Sequence, residues 1–230
     1  MSYKQRIQEA LKNRHGSAPG KIIILVIIAS VITLSLLALC IVAAPEGLGA
    51  SYHFYDERGA VTALSALCMA WGGAFALVTA LQMGREPFRT RLFWSLAAAG
   101  LAFMAVDELV GFHEAIGDVT PGVETSGERV FGIFRGWNDI IVILYGVVAL
   151  LAGLWFLPEV LRPPRFAELI ALGFAAFVAH TVIDSISEPP SHTSVILEES
   201  AKVYCVLFMA LAMFTAMRWA LGRRFAGSIG

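Results

Sequence analysis

The sequence contains few charged residues for its length. Of its 230 residues, 15% are charged and 57% are hydrophobic. A soluble domain needs a polar surface, and this composition has too few polar residues to cover one. The net charge of -1 leaves no basic stripe to neutralise phosphates, which excludes a nucleic-acid partner. The composition therefore predicts an integral membrane protein.

The sequence also lacks the motifs of most familiar enzyme sites. Its three cysteines lie inside apolar runs without CxxC spacing, which excludes a disulfide framework and a thiolate metal site. It has no GxSxG, Walker A, GxGxxG or HExxH pattern. Serine-hydrolase, nucleotide-driven and standard zincin chemistry therefore have no support.

Six apolar runs are each long enough for a transmembrane helix, which needs about 20 residues. They cover residues 21–44, 60–83, 91–115, 130–157, 165–188 and 194–221, with Pro-, Gly- and charge-containing breaks between them. We predict an all-α polytopic membrane helix bundle with one six-helix domain over residues 21–222. Residues 1–20 would form an amphipathic or disordered segment, and residues 223–230 a short tail.

Basic residues are concentrated at one end of the predicted spans. Of the 17 Lys and Arg residues, all but Arg58, Arg129, Arg135 and Lys202 flank that end. The positive-inside rule places this end, and both termini, in the cytoplasm. All but four of the 18 Asp and Glu residues fall at the opposite, outer end. The outer end should therefore hold a negative potential that concentrates cations.

Spans three to six each carry ionisable residues near their outer ends. In the stretch FMAVDELVGFHEAIGD, Asp107 and Glu114 are seven residues apart, so they would share one face of a continuous helix. His180 and Asp184 follow at i and i+4 in span five. The two groups would face each other if spans three and five pack together. Ionisable residues inside spans are rare and mark functional sites by default.

Imidazole and carboxylate ligands together suit Zn²⁺, Fe²⁺ or Mn²⁺. We therefore predict a divalent metal, with zinc favoured over iron or manganese. The predicted ligands are His113, Glu114, His180, Asp184 and Glu199. A metal with an open coordination position would lower the pKa of a bound water toward about 7.

Five further residues are predicted to support this chemistry. Glu108 or Asp139 would act as the general base. Asp107 would orient a ligand imidazole, and Asn138 and Lys202 would hold other ligands in place. The i, i+4 pairs Arg135–Asp139 and Glu198–Lys202 have a second interpretation, as structural ion pairs.

Two short motifs resemble those of uncharacterised bacterial multi-pass membrane proteins: the DE…HE run at 107–114 and the EExxK run at 198–202. More remotely, a His in one span and a later His-x-x-x-ligand pair resemble the alkaline ceramidase and adiponectin-receptor superfamily. That resemblance implies zinc-dependent hydrolysis. The chain departs from the superfamily in having six spans rather than seven, Asp184 in place of a His, and no clear Ser partner before His113.

Three functions are compatible with these features. The first is a metal-dependent hydrolase of a lipid or lipid-linked substrate, in a bacterial cytoplasmic membrane with its site facing the periplasm or exterior. The second is a cation or proton transporter, in which the same acids bind the ion. The third is a non-catalytic subunit whose apolar spans one and two bind a membrane protein partner, with Gly72 and Gly73 permitting close helix contact.

Overall fold

The structure is a computed structural model that describes residues 3–12, 19–45, 49–56, 59–119, 130, 134, 136–186 and 191–226. Within these ranges the chain forms ten α-helices, and an isolated bridge between Val130 and Phe134 is the one β-type pairing. The predicted all-α class is confirmed.

Six of the helices are long and apolar enough to cross a membrane. These are α2 (Pro19–Val42), α4 (Ala60–Gln82), α5 (Phe88–Val110), α7 (Trp137–Trp155), α9 (Phe166–Ile186) and α10 (His192–Ala226). Their lengths follow from the apolar runs, because a helix in lipid satisfies its backbone hydrogen bonds internally. The predicted six-helix polytopic bundle is confirmed.

Four short helices lie at the two ends of the bundle. At one end, called the terminal end here, α1 (Tyr3–Lys12) packs on α8 (Leu157–Leu161). At the opposite end, called the loop end, lie α3 (Gly49–His53) and α6 (Phe112–Val119). Because the chain crosses the bundle six times, its first and last described residues lie toward the terminal end.

Helices α4 and α10 form the centre of the bundle. Helix α4 packs on both α5 and α10, and α10 packs in turn on α9. Gly73 allows the close approach of α4 and α5, since a Cβ there would lie 3.3 Å from the carbonyl oxygen of Ala98. A Cβ on Gly72 would lie 3.4 Å from the Cα of Ala210 on α10. We predicted that these two glycines would permit close contact with a partner protein. In the structure they allow helices of the bundle itself to approach.

The third span differs from its prediction as one helix over 91–115. Helix α5 ends at Val110, and Gly111 adopts a left-handed conformation with φ of 70° before α6 begins at Phe112. A left-handed residue ends an α-helix, and glycine adopts that conformation without steric cost. The prediction of a continuous helix through this region is wrong. The fourth span also starts later than predicted, at Trp137 rather than residue 130.

Candidate functional site: an acidic cavity at the loop end

A cavity of about 550 Å³ lies at the loop end and is lined by residues of α3, α4, α5, α6, α7, α9 and α10. All ten residues that the sequence predicted for the site line this cavity: Asp107, Glu108, His113, Glu114, Asn138, Asp139, His180, Asp184, Glu199 and Lys202. The structure thus gathers these residues around one space, although they come from five different helices.

The cavity lining carries far more negative than positive charge. Its acidic residues are Asp56, Asp107, Glu108, Glu114, Asp139, Asp184, Glu198 and Glu199, against one lysine, Lys202, and three histidines, His113, His180 and His192. Eight carboxylates would outnumber four cations even with every histidine protonated. A concave site lined by one sign of charge focuses the field and attracts counter-ions.

Asp107 and His113 form the most closely defined pair in the cavity. Asp107 is 1% exposed. Its Oδ1 accepts a hydrogen bond from the backbone N–H of His113 at 3.0 Å, and its Oδ2 lies 3.0 Å from Nδ1 of the same residue. A hydrogen bond donated by Nδ1–H to Asp107 would fix the tautomer of the neutral imidazole and leave the lone pair on Nε2.

The corner at Gly111 makes this pair geometrically feasible. Residues six apart on one straight helix point in different directions. The left-handed Gly111 turns the chain after α5, and His113 folds back over Asp107. The predicted shared face of Asp107 and Glu114 on a continuous helix is therefore wrong, and the helix break brings His113 against Asp107 instead.

Glu114 extends the pair on the other side of the imidazole. Its Oε1 lies 3.7 Å from His113 Nε2. In a tetrahedral zinc site, a nitrogen ligand and an oxygen ligand at their usual bond lengths are about 3.4 Å apart. The two atoms are therefore separated by nearly the distance that a shared metal requires.

Lys202 is the centre of a second group. Its Nζ lies 2.8 Å from Glu199 Oε1 on the same helix and 3.0 Å from Glu108 Oε1 on α5. The side chains of Glu199 and Glu108 are 8% and 10% exposed. This buried group links α10 to α5 and makes Glu108 a salt-bridged carboxylate.

His180 on α9 lies beside a carboxylate of α10. Its Nδ1 is 4.0 Å from Glu198 Oε1. The sequence paired Glu198 with Lys202, but helix packing places Glu198 next to α9. Asp184 follows His180 by one turn and lines the same cavity, as the i, i+4 spacing predicted.

Helix α6 is held against the start of α7. A Cβ on Gly117 would lie 3.0 Å from the backbone nitrogen and 3.2 Å from the Cβ of Asn138. This close approach sets Asn138 and the neighbouring Asp139, which is 3% exposed, against the corner that carries His113. Arg135, the predicted partner of Asp139, lies outside the described residues.

Ser51, Tyr55 and His192 are among the cavity residues that were not predicted from the sequence. The Oγ of Ser51 in α3 hydrogen-bonds Nδ1 of His192 at the start of α10. Tyr55, 1% exposed, donates a hydrogen bond to the carbonyl oxygen of Leu37 on α2 at 2.8 Å. Burial raises the pKa of Tyr55, so its hydroxyl keeps the proton that it donates to Leu37. All three lie outside the six predicted spans, so the apolar runs gave no signal for them.

His113 and His180 line the same cavity, but each lies beside its own carboxylate. Helix α5 packs on α4, and α9 packs on α10 and α7. Within the described part of the chain, no group of three or more His, Cys, Asp or Glu side chains is positioned to hold a metal ion. The metal site, with His113, His180 and Asp184 as ligands and Glu114 or Glu199 completing the set, therefore stays a prediction.

A protein-family model described as "Domain of unknown function (DUF8692)" matches residues 22–216. The match covers all six membrane-spanning helices except the first three residues of α2 and the last ten of α10. Searches of curated proteins and of solved structures find no match.

Proposed function

Since the chain belongs to the DUF8692 family, whose description assigns no activity, we propose a function from the chemistry of the cavity. The protein is a membrane hydrolase that binds a divalent cation at the loop end, with zinc preferred over iron or manganese. It acts on a lipid or lipid-linked substrate. The observation that carries this proposal is the Asp107–His113 pair, with Glu114 beside it.

The pair has the arrangement that proteins use to prepare a histidine for a metal. A ligand histidine usually donates its second ring N–H to a carboxylate, which fixes the tautomer and raises the basicity of the ligand nitrogen. Asp107 stands in that position at 3.0 Å from Nδ1. His113 Nε2 and Glu114 Oε1, 3.7 Å apart, would supply the first two ligand atoms.

The remaining ligands would come from the facing helices. His180, Asp184 and Glu199 line the same cavity, and cation binding would have to draw at least one of them toward His113. The excess of carboxylates supports this movement, because a divalent cation lowers the repulsion among them. The cation would supply a water of lowered pKa as the nucleophile.

Both predicted general bases, Glu108 and Asp139, line the cavity, and we assign the role to Asp139. Glu108 Oε1 lies 3.0 Å from the ammonium group of Lys202, and a neighbouring cation lowers the basicity of a carboxylate. Asp139 is buried in the cavity wall beside Asn138. In the proposed reaction Asp139 takes a proton from the water whose oxygen bonds to the acyl carbon of the substrate. The bond from that carbon to the alcohol or amine then breaks, and Asp139 gives the proton to the departing oxygen or nitrogen.

A lipid substrate is supported by the outer surface of the same corner. Leu109, which lies between Asp107 and His113 in the sequence, is 65% exposed, and Ile116, three residues after His113, is 52% exposed. In a membrane these side chains contact lipid, while His113 and Glu114 line the cavity. A substrate held in the bilayer would therefore reach the cavity over a short distance.

Transport is less well supported, because the spans carry few charges between their two ends. On α5 no charged residue lies between Arg91 and Asp107, and on α10 none lies between Lys202 and Arg218. Each gap of 16 residues corresponds to about 24 Å of helix. A path for an ion through the bundle would need polar groups in this region.

Metal analysis of purified protein tests the proposal. We expect one equivalent of zinc after dialysis against trace zinc, and His113→Ala should lose most of it. His53→Ala is the matched control, because His53 is an exposed histidine of the loop end that does not line the cavity. Metal-free wild type, or equal losses in both variants, would contradict the proposal. A lipid-ester panel assayed with and without zinc then tests hydrolysis.

The proposed orientation has its own test. The positive-inside rule would put the terminal end in the cytoplasm of a bacterial cell and the cavity on the outer side of its cytoplasmic membrane. Tyr52 is 70% exposed at the loop end. In a background without the three native cysteines, Tyr52→Cys should react with a membrane-impermeant maleimide on intact cells from which the outer barrier has been removed. Reaction only after cell lysis would reverse the orientation.

A further inference from the structure

Helix α1 contacts the terminal end of the bundle through a hydrogen bond of Tyr3 and the side chain of Arg89. The hydroxyl of Tyr3 donates a hydrogen bond to the carbonyl oxygen of Leu154 at 2.9 Å. The guanidinium of Arg89 lies 5.8 Å from the ring centres of Tyr3 and Trp155 and 5.4 Å from that of Phe156. It also donates a hydrogen bond to the carbonyl oxygen of Trp155. These contacts place α1 beside the end of α7, against α8.

The aromatic residues at this contact indicate the level of the bilayer at which α1 lies. Trp155 ends a membrane-spanning helix and is 67% exposed. Trp and Tyr side chains are enriched where the apolar core of the membrane meets the headgroups. Since Tyr3 and Trp155 share the Arg89 guanidinium, α1 lies at the headgroup level of that side.

The exposed side of α1 is basic. Lys4 and Lys12 are exposed, and Arg6 is half-buried, whereas Glu9 is the one acidic residue of the helix. Further exposed cations of the terminal end are Lys21, Arg85, Arg91 and Arg218. By contrast, three other acidic side chains described at that end lie close to arginines: Glu86 and Glu159 to Arg162, and Glu168 to Arg165.

We propose that α1 and the neighbouring terminal-end cations form a binding surface for anionic phospholipid headgroups. The partner follows from charge: a basic helix held at headgroup level attracts lipid phosphates, and each Lys or Arg near an anionic surface strengthens the attraction. Exposed Leu11 adds an apolar contact of the kind that holds interfacial helices in place. This surface lies at the opposite end from the acidic cavity and is independent of the proposed hydrolase.

Native mass spectrometry of the full chain tests the proposal. Protein extracted from an equimolar mixture of phosphatidylglycerol and phosphatidylcholine should retain the anionic lipid preferentially, and the preference should fall at high ionic strength. In the double variant Lys4→Gln and Lys12→Gln, retention of phosphatidylglycerol should fall by about fivefold for each lysine removed. Phosphatidylcholine retention should be unchanged.

Two further variants separate charge from structure. Lys4→Arg with Lys12→Arg keeps both charges and should keep the wild-type preference. Glu9→Gln, on the same helix, removes a negative charge and should keep or increase it. The proposal is overturned if wild type retains both lipids equally, or if the double glutamine variant retains phosphatidylglycerol as strongly as Glu9→Gln does.

Discussion

The two ends of the bundle use their few charged residues in different ways. At the loop end, eight carboxylates line one cavity with a single lysine. At the terminal end, Glu86 lies between two arginines, 3.2 Å from Arg162 and 3.1 Å from Arg223. One end therefore holds an excess of one sign of charge, whereas the other pairs its acids with cations.

The two halves of the bundle also differ in their apolar packing. The terminal half contains the largest aromatic cluster, in which Trp94 and Phe166 are each 1% exposed and their ring centres are 5.3 Å apart. The loop half contains the cavity. A densely packed half supplies stability, and an unfilled polar half is where a ligand would bind. The tightest aromatic packing and the space for a ligand therefore lie in opposite halves of the bundle.

The largest effect is expected from Lys202→Met at the loop end. This change leaves Glu108 and Glu199 buried without the cation that lies within 3.0 Å of both. Breaking a buried ion pair from one side costs about 3–5 kcal/mol, and thermal unfolding in detergent should show this loss. The triple variant that also carries Glu108→Gln and Glu199→Gln should recover most of it. Lys21→Met, at an exposed position, should change little.

The next effect concerns ligand binding rather than stability. In Asp107→Asn the amide can still accept from the backbone of His113, but its NH₂ group would face Nδ1 and favour the wrong tautomer. Zinc affinity measured by calorimetry should fall by about 10- to 100-fold. Asp56→Asn removes a charge from the same cavity without touching this pair. A similar loss of zinc affinity in both variants would show that the charge of the cavity, and not the Asp107–His113 hydrogen bond, determines zinc binding.

A smaller effect is expected at the corner between α5 and α6. Gly111→Ala places a side chain at a φ of 70°, which costs about 1–2 kcal/mol, and its Cβ would lie 2.8 Å from Glu114 Oε2. Gly153→Ala is the control, since a Cβ there meets nothing within 4 Å and the change favours helix. The two variants should therefore shift the unfolding temperature in opposite directions. Equal shifts would mean that Gly111 is not required for the turn.

The smallest effect is expected at the terminal end. Glu86→Gln removes a carboxylate that is 22% exposed, and its partner Arg223 is 51% exposed. Water screens such pairs, so the loss in unfolding free energy should stay below about 1 kcal/mol. Thermal unfolding in detergent, as for Lys202→Met, measures this loss. A loss as large as that of Lys202→Met would remove the distinction between the two ends.

The membrane fold could be predicted because lipid imposes it on the sequence. Each span needs an apolar run of sufficient length, and these runs are visible without any knowledge of packing. The grouping of site residues could also be predicted, because ionisable side chains such as Asp107 and His180 occur at similar heights in their helices. His180 and Asp184 keep the spacing of a regular helix, and both line the cavity as expected.

The pairings inside the cavity depend on tertiary contacts that spacing does not encode. Lys202 lies against Glu199 because Glu108 approaches from α5 on that side, whereas helical spacing alone favours Glu198 as well. The corner at Gly111 had a signal in the sequence, a glycine after an apolar run, which is typical of a helix C-terminus. The apolar residues on both sides of it outweighed that signal.

The corner at Gly111 has a mechanical consequence. Asp107 holds the main chain and the ring of His113 with its two oxygens, so a pull on the imidazole is also a pull on the first turn of α6. A ligand that draws His113 inward would tilt this helix, and with it Ile116 on the lipid-facing surface. Events in the aqueous cavity would thereby change the shape that the protein presents to the hydrocarbon around it.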